Sequence, residues 1–372
     1  MSKLDKKILL LGGTGAMGVY LAPILAELGY EVYITSRKDQ VSENSKIHFI
    51  KGNAKDIKFL DRLLVTRYDA IVDFMIYRTE EFADRYEKLL TNTTHYLFLS
   101  SYRVYGDSKG MPIKENSSRL LDCVKDEEYL ATDEYALAKA RQENILISSK
   151  YINWTIIRPA ITYSHTRFQL GTMEANEFLS RVLKNKIVIF PEQMLEKETT
   201  MSWAGDVAVM ISKLIFNEVA MGEIFTAATS EHHKWKEVIQ YYQNIVNMKV
   251  KIVDLHDYQN IVGRLWQIKY DRMYDRIVDN NKILSATGMS QSDLMPLEKG
   301  LRLELERFVK NPAFAKIDSI MDGKMDEITK VNPNKKKIVA SKKISKITRL
   351  FSRDLTIKEK LEKTLKWLGL KK

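Results

Sequence analysis

The chain has 372 residues, 45% of them hydrophobic, six histidines, one cysteine and a formal net charge of +11. That length can bury a large core and suits two domains or one with additions. A lone cysteine, Cys123, excludes an internal disulfide and a Cys-rich zinc site, which fits a reducing, cytoplasmic compartment. His48, His95, His165, His232, His233 and His256 make no HxxxH or HExxH spacing, so no metal site is expected. No run approaches the roughly 20 uninterrupted apolar residues of a membrane span. The N-terminal apolar run is also too short for a signal sequence. The charge is unevenly placed: residues 331–372 hold 14 Lys/Arg and three Asp/Glu, while the rest of the chain balances at 45 and 45.

Lys7-Ile8-Leu9-Leu10-Leu11 reads as a buried parallel strand that runs into Gly12-Gly13-Thr14-Gly15-Ala16-Met17-Gly18. An apolar helical stretch over Val19–Leu28 follows, ended by Gly29, with Pro23 early enough to be tolerated. Strand, glycine turn and helix N-terminus form a pyrophosphate site, because the backbone can approach the phosphates and unpaired N–H groups face them. Two registers fit, GxGxxG from Gly13 and GxxGxxG from Gly12.

Glu31–Thr35 is a second strand, ending at Ser36-Arg37-Lys38. A carboxylate at this point would hold a ribose 2′-hydroxyl, whereas a hydroxyl with two cations suits a 2′-phosphate, so NADP is expected in preference to NAD. Lys46–Ile50 is a third strand, with Gly52-Asn53-Ala54 and a helix through Ile57, Leu60, Leu63 and Leu64 after it. Asp69–Ile76 is a fourth, a helix covers about 79–91, and His95–Leu99 is a fifth that runs into Ser100-Ser101. Thr132 or Asp133 caps a strong helix from Glu134 to Leu146, and Trp154–Ile157 is a sixth strand stopped by Arg158-Pro159. The alternation calls for a Rossmann-type doubly wound parallel sheet with ligands at the strand C-terminal ends.

Beyond residue 160 the pattern loosens. A helix is expected over 173–184, a short strand over Ile187–Phe190, a helix from Trp203, and a return to the sheet at Ile224–Ala227. The stretch 230–310 is mixed, with a strand near Val250–Val253. The expected organisation is a dinucleotide-binding domain (1–165 and 203–229), a smaller mixed α/β substrate-binding domain (166–202 and 230–310) and a basic amphipathic helical tail (331–372). Asn332-Pro333-Asn334 marks the linker to that tail.

Tyr135 and Lys139 are four apart on a helix and share a face. A free tyrosine titrates at about 10, too high for ready proton exchange at neutral pH, and a nearby ammonium stabilises its phenolate. Tyr105 and Lys109 have the same spacing, but Gly106 and Asp107 break any helix between them. Ser100 and Ser101 end the fifth strand, where a hydroxyl can reach the reacting oxygen or simply cap the strand end.

Taken together, the chain resembles an extended short-chain dehydrogenase/reductase of the NAD-dependent epimerase/dehydratase family, which acts mainly on nucleotide sugars. The resemblance covers roughly 7–310. It rests on the glycine loop, Ser101-Tyr102-Arg103-Val104-Tyr105-Gly106, Tyr135-Ala136-Leu137-Ala138-Lys139, Arg158-Pro159-Ala160, Trp203-Ala204-Gly205-Asp206-Val207-Ala208 and Asp279-Asn280-Asn281-Lys282. It implies Ser101, Tyr135 and Lys139 as the catalytic set, with Lys139 also on the nicotinamide ribose. The implied cofactor-binding residues are Gly12, Thr14, Gly15, Ala16, Met17, Ser36, Arg37, Lys38, Asn53, Ala54, Phe74, Met75, Ser100, Tyr135, Lys139 and Pro159. Tyr102, Tyr163, His165 and Arg167 are substrate candidates.

Four departures stand out. Asn53 replaces the usual Asp, Phe74 and Met75 replace small residues on the cofactor floor, and Trp203 replaces a histidine. Tyr102 and Arg103 replace the Asp-Glu pair of 4,6-dehydratases, which disfavours elimination of water. The expected activity is therefore hydride transfer on a nucleotide-linked sugar, by an epimerase or an NADPH-dependent ketoreductase. The alternative is an RNA-binding protein on a catalytically inactive dehydrogenase scaffold, but the neutral body disfavours nucleic acid. The tail is expected to dock on an anionic membrane surface or a membrane-bound glycosyltransferase system, or to pack on its own body with its lysines solvated. A homodimer is also admitted.

Overall fold

In a computed structural model of the chain, which describes residues 6–315 and 317–330, the first half alternates as its apolar pattern predicts. In order come β1 (Lys7–Leu11), α1 (Gly18–Glu27), β2 (Glu31–Ser36), β3 (Ile47–Lys51), α2 (Ile57–Leu63), β4 (Tyr68–Asp73), α3 (Thr79–Ala83), α4 (Tyr86–Thr91) and β5 (Thr93–Leu99). Two short helices, α5 (Leu120–Cys123) and α6 (Glu127–Leu130), lead to α7 (Tyr135–Ile147) and β6 (Trp154–Ile157). Among the described residues seven strands make the central sheet, in the order β13-β6-β5-β4-β1-β2-β3, where β13 is Glu223–Phe225; neighbours pair in parallel. The order reverses at β1, which lies between β2 and β4, so the crevice beyond the ends of β1 and β4 is where this topology accepts a ligand.

β1 shows why the run is so apolar. Ile8 and Leu10 pack with Leu21 and Leu25 of α1 on one face, while Leu9 and Leu11 pack with Leu60, Phe82 and Leu146 on the other. A strand covered on both sides has no polar alternation to keep.

Two local expectations differ from the structure. The helix expected over 79–91 is split at Asp84–Arg85, where Arg85 turns inward over the Tyr77 ring and donates to the carbonyl oxygens of Glu81, Ala54 and Lys55. The cap of α7 is Glu134, whose carboxylate accepts from the Ala136 N–H at 2.8 Å. Asp133 is engaged instead by Thr79 and Arg141, and Thr132 accepts from the Glu134 N–H.

After β6 come β7 (Ile161–Tyr163), β8 (Gln169–Leu170), β9 (Met173–Glu174), α8 (Ala175–Leu183), β10 (Ile187–Pro191), β11 (Glu198–Thr199), β12 (Met201–Trp203) and α9 (Ala204–Leu214). Past β13 lie β14 (His233–Lys234), α10 (Trp235–Ile245), β15 (Lys249–Val253), α11 (Leu255–Val262), α12 (Leu265–Gln267), a π-turn at Ile268–Arg272, α13 (Asn281–Thr287) and α14 (Leu297–Lys310). β10 pairs with β15 in parallel, and β7 with β12, so this half stands beside the main sheet on strands of its own. A further helix, α15 (Ser319–Thr329), packs on β10, α8 and α11 beyond the expected limit at 310. Its Asp322 and Asp326 face Arg181 and Lys186 in a four-charge cluster. The expected linker and tail at 331–372 lie outside the described residues. Among those described, no helix is long and apolar enough to cross a membrane.

The α1 start depends on close approach. A β-carbon at Gly18 would collide with the Gly13 carbonyl oxygen, a contact with backbone that no rotamer relieves. Gly18→Ala is therefore expected to cost about 3 kcal/mol or more, as overpacking against rigid atoms does, read as a lowered midpoint in urea unfolding.

Candidate active site

The glycine loop closes as a phosphate cradle. Gly12 sits at φ +71°, a conformation that L side chains rarely adopt, and its N–H donates to Thr35 Oγ1 at 2.8 Å, which ties the loop to β2. Thr14 and Gly15 face solvent, and a β-carbon at Gly15 would meet nothing within 4 Å. Ala16 and Met17 are partly buried behind them, and no side chain caps the start of α1. The Val19 and Tyr20 N–H groups donate to the Gly15 and Met17 carbonyls, so an anion here would be met by the helix dipole and the backbone of the exposed loop before them. These features fit a dinucleotide's phosphates.

The rest of the crevice is made by the strand ends. Phe74 N–H donates to the Leu11 carbonyl, and the Met75 sulfur stands 2.7 Å from where a β-carbon on Gly12 would be, so both residues lie against the glycine loop. Ser36 closes its own turn, donating to the Lys38 carbonyl at 2.8 Å and accepting from Gln40 at 3.1 Å, while Arg37 and Lys38 are exposed. Asn53 Oδ1 accepts from the Lys55 N–H, and Ala54 is buried. The Pro159 carbonyl accepts from the Tyr102 N–H at 3.0 Å, which joins the ends of β5 and β6.

Helix α7 carries Tyr135 and Lys139. Lys139 is 1% exposed; its Nζ donates to the Met75 carbonyl at 3.1 Å and lies 4.3 Å from the centroid of the Phe98 ring. Burial lowers its pKa to about 8, against the attraction of Asp73 and Glu143. Tyr135, one turn earlier, is partly buried, with the Arg103 guanidinium 5.2 Å from its ring centroid. Ser101 caps the 3₁₀ turn Tyr102–Val104, its hydroxyl accepting from the Arg103 N–H at 3.2 Å. The structure thus brings the loop carrying Ser101 and the helix carrying Tyr135 and Lys139 to the same end of β5. Ser100 differs, since its hydroxyl is given to Glu143 at 2.6 Å.

The four substrate candidates separate. Tyr102 is buried, its hydroxyl 3.3 Å from Arg272 Nη1 and its pKa pushed up by burial to about 12. The Tyr163 hydroxyl is buried without a hydrogen-bond partner, against Gly300 of α14. His165 and Arg167 bind carboxylates, Glu304 and Glu174 respectively.

Three groups escaped the sequence reading. Glu143, fully buried one turn after Lys139, accepts from Ser100, from Arg158 Nε and Nη2 at 2.8 and 2.7 Å, and from Arg119 at 3.1 Å. Asp73 accepts from the Met75 N–H at 2.9 Å and from Tyr96 Oη at 2.8 Å, and burial raises its pKa. It fixes the turn whose Met75 carbonyl receives Lys139. Asp271 gathers Arg103, Arg272 and Arg276 beside Tyr102. A carboxylate closing an otherwise apolar strand was a visible signal for Asp73. Glu143 and Asp271 carried no local mark.

The pattern of the NAD dependent epimerase/dehydratase family matches residues 8–228, and the chain belongs to that family. Over 248 residues, 61% of this chain, it is 27% identical to the chloroplast stem-loop binding protein of 41 kDa b of Arabidopsis thaliana, and it spans 60% of that protein's length. Among solved structures, epimerase Mth375 of Methanothermobacter thermautotrophicus superimposes with a TM-score of 0.63 at 17% identity, covering 82% of this chain and 93% of that one. The UDP-glucose 4-epimerase of Thermus thermophilus, in complex with NAD, gives 0.61 at 16% identity, covering 82% and 100%. At such identities the likeness is one of fold.

Glu143→Gln removes the carboxylate from the buried Arg158 guanidinium and is expected to destabilise the protein by about 3–5 kcal/mol, the cost of an uncompensated buried charge. Calorimetry or urea unfolding reads it.

Proposed function

We propose that this protein performs hydride transfer at a carbinol or keto carbon of a nucleotide-linked sugar, as an epimerase or as an NADPH-dependent ketoreductase. The observation that carries the reading is the placement on α7 of a partly exposed phenol one turn from a buried ammonium, beside the ends of β4 and β5. The family and the fold agree with it. The glycine loop and α1 would hold the cofactor's phosphates, and the open cations Arg37 and Lys38 favour NADP. When bound, a nicotinamide dinucleotide supplies the hydride acceptor or donor. The rest of the work falls to the chain. Tyr135 Oη takes the proton of the sugar hydroxyl in the oxidative direction and returns it to the ketone oxygen in the reductive one, while Ser101 hydrogen-bonds that oxygen. Lys139 keeps a positive charge under the site. With Tyr102 and Arg103 at the positions after Ser101, no acid–base carboxylate pair stands there for elimination.

The test is to identify the dinucleotide that co-purifies, then to offer nucleotide sugars. Tightly held cofactor with isomer formation and no net consumption means an epimerase; stoichiometric oxidation of added NADPH means a reductase. Absence of both with UDP-, GDP- and dTDP-sugars overturns the proposal. Tyr135→Phe is expected to lower turnover by about 100-fold or more, the usual worth of a positioned proton donor, with cofactor affinity nearly unchanged by fluorescence titration. A second expectation concerns pH. Lys139 is charged below about 8 and neutral above it. Turnover should therefore fall as pH rises through about 8, and this alkaline limb should be missing from the residual activity of Lys139→Met in a pH–rate profile.

A second reading draws on the Arabidopsis relative, whose name states stem-loop binding. In that case the chain would retain structured RNA in a strongly salt-dependent way without residues 331–372, and Tyr135→Phe would leave the retention intact.

A further inference from the structure

The ion cluster beside Tyr135 does not balance. Arg103, Arg272 and Arg276 surround Asp271, and Arg103 also meets Glu134 at 2.6 Å, which gives three guanidiniums against two carboxylates. Burial pushes the Asp271 carboxyl up, but the three guanidiniums outweigh it and hold it below the usual carboxylate range, so its negative charge is already in the count. One positive charge is left over in a largely buried place, an unfavourable arrangement unless an anion arrives.

The donors of the three guanidiniums can be followed one by one. Arg272 gives its donors to the Gly171 carbonyl, the Tyr102 hydroxyl, Asp271 and Gln169, and Arg276 gives its own to Asp271 and the carbonyls of Gly106 and Tyr270. Arg103 is different. Its Nε is buried with no hydrogen-bond partner, 3.4 Å from Asp271. Its guanidinium also lies 5.2 Å from the ring of the phenol assigned above to the reacting oxygen. Arg103 thus pairs with both carboxylates and still keeps a donor without a hydrogen bond, beside the phenol and in a cluster that holds one more guanidinium than carboxylate.

We propose that Arg103 is a specificity-determining residue, and that the sugar it selects is an acid whose ring carboxylate pairs with this guanidinium. The inference rests on the nucleotide-sugar reading and names the class of sugar within it. A planar guanidinium matches a carboxylate in charge and geometry, whereas a neutral hydroxymethyl group would leave the surplus charge uncancelled.

The experiment measures affinities of the full, cofactor-loaded chain for matched pairs, UDP-glucuronate against UDP-glucose and GDP-mannuronate against GDP-mannose. In at least one series the acid should bind about tenfold or more tightly, the worth of a charge-assisted hydrogen bond. Arg103→Met, which leaves two guanidiniums against two carboxylates, should bring that ratio to about one, and Arg103→Lys should keep part of it. Cofactor uptake and the unfolding midpoint of each variant serve as fold controls. Equal binding of acid and neutral sugar overturns the inference and leaves the nucleotide-sugar reading standing. An equal loss of UDP, neutral and acidic sugar on Arg103→Met assigns the guanidinium to the diphosphate and overturns it as well. Failure of every nucleotide sugar to bind removes both readings together.

Discussion

One carboxylate holds the functional end of the molecule together. Glu143 is the place where α7, the end of β5 and the end of β6 meet, through Ser100, Arg158 and Arg119. A fully buried acid with two arginines and a hydroxyl around it cannot move without stranding charge in a dry interior, so its position is strongly specified. Because Lys139 and Tyr135 lie one and two turns before it on the same helix, that specification passes directly to them. The Arg-Pro pair after β6, read from the sequence as a motif beside the cofactor, owes its rigidity to this anchor: Arg158 supplies the charge, and the Pro159 carbonyl holds Tyr102.

A second buried acid joins the two halves of the chain. Glu304 of α14 accepts from Tyr20 of α1 at 2.7 Å, from the Trp203 indole at 2.8 Å and from the His165 N–H at 2.6 Å. Burial pushes its carboxyl up, yet these donors outweigh burial and hold it below the usual glutamate range. A folded-state value below the unfolded one stabilises the protein above the ordinary glutamate range, and that contribution is lost as pH falls through the folded value. The family departure at Trp203 has its physical account here, since the indole N–H is a donor to this acid.

The sheet and the cofactor crevice were legible because parallel strands covered on both faces read as continuous apolar runs, and because glycines at fixed intervals have few other uses. The spacing of Tyr135 and Lys139 was legible for the same local reason. What was hidden depends on partners far apart in sequence. Arg103 meets Asp271, Tyr20 meets Glu304, and Asp322 meets Arg181, each across more than a hundred residues. Nothing within a turn or two of these residues marks them as partners. The break at Arg85 was missed for a related reason, because a helix-compatible sequence yields to a side chain that finds buried carbonyls elsewhere. Tyr163 and His165, named as substrate candidates, both meet α14, a helix well over a hundred residues later, and nothing near them in sequence marks that contact.

Helix α15 closes the described part of the chain, and its seat has a mechanical meaning. Arg181 and Lys186, on and just after α8, grip Asp322 and Asp326 one turn apart on α15. A force along α15 would therefore be borne first by this quartet, and through it by α8 and β10, which lie outside the seven-stranded sheet.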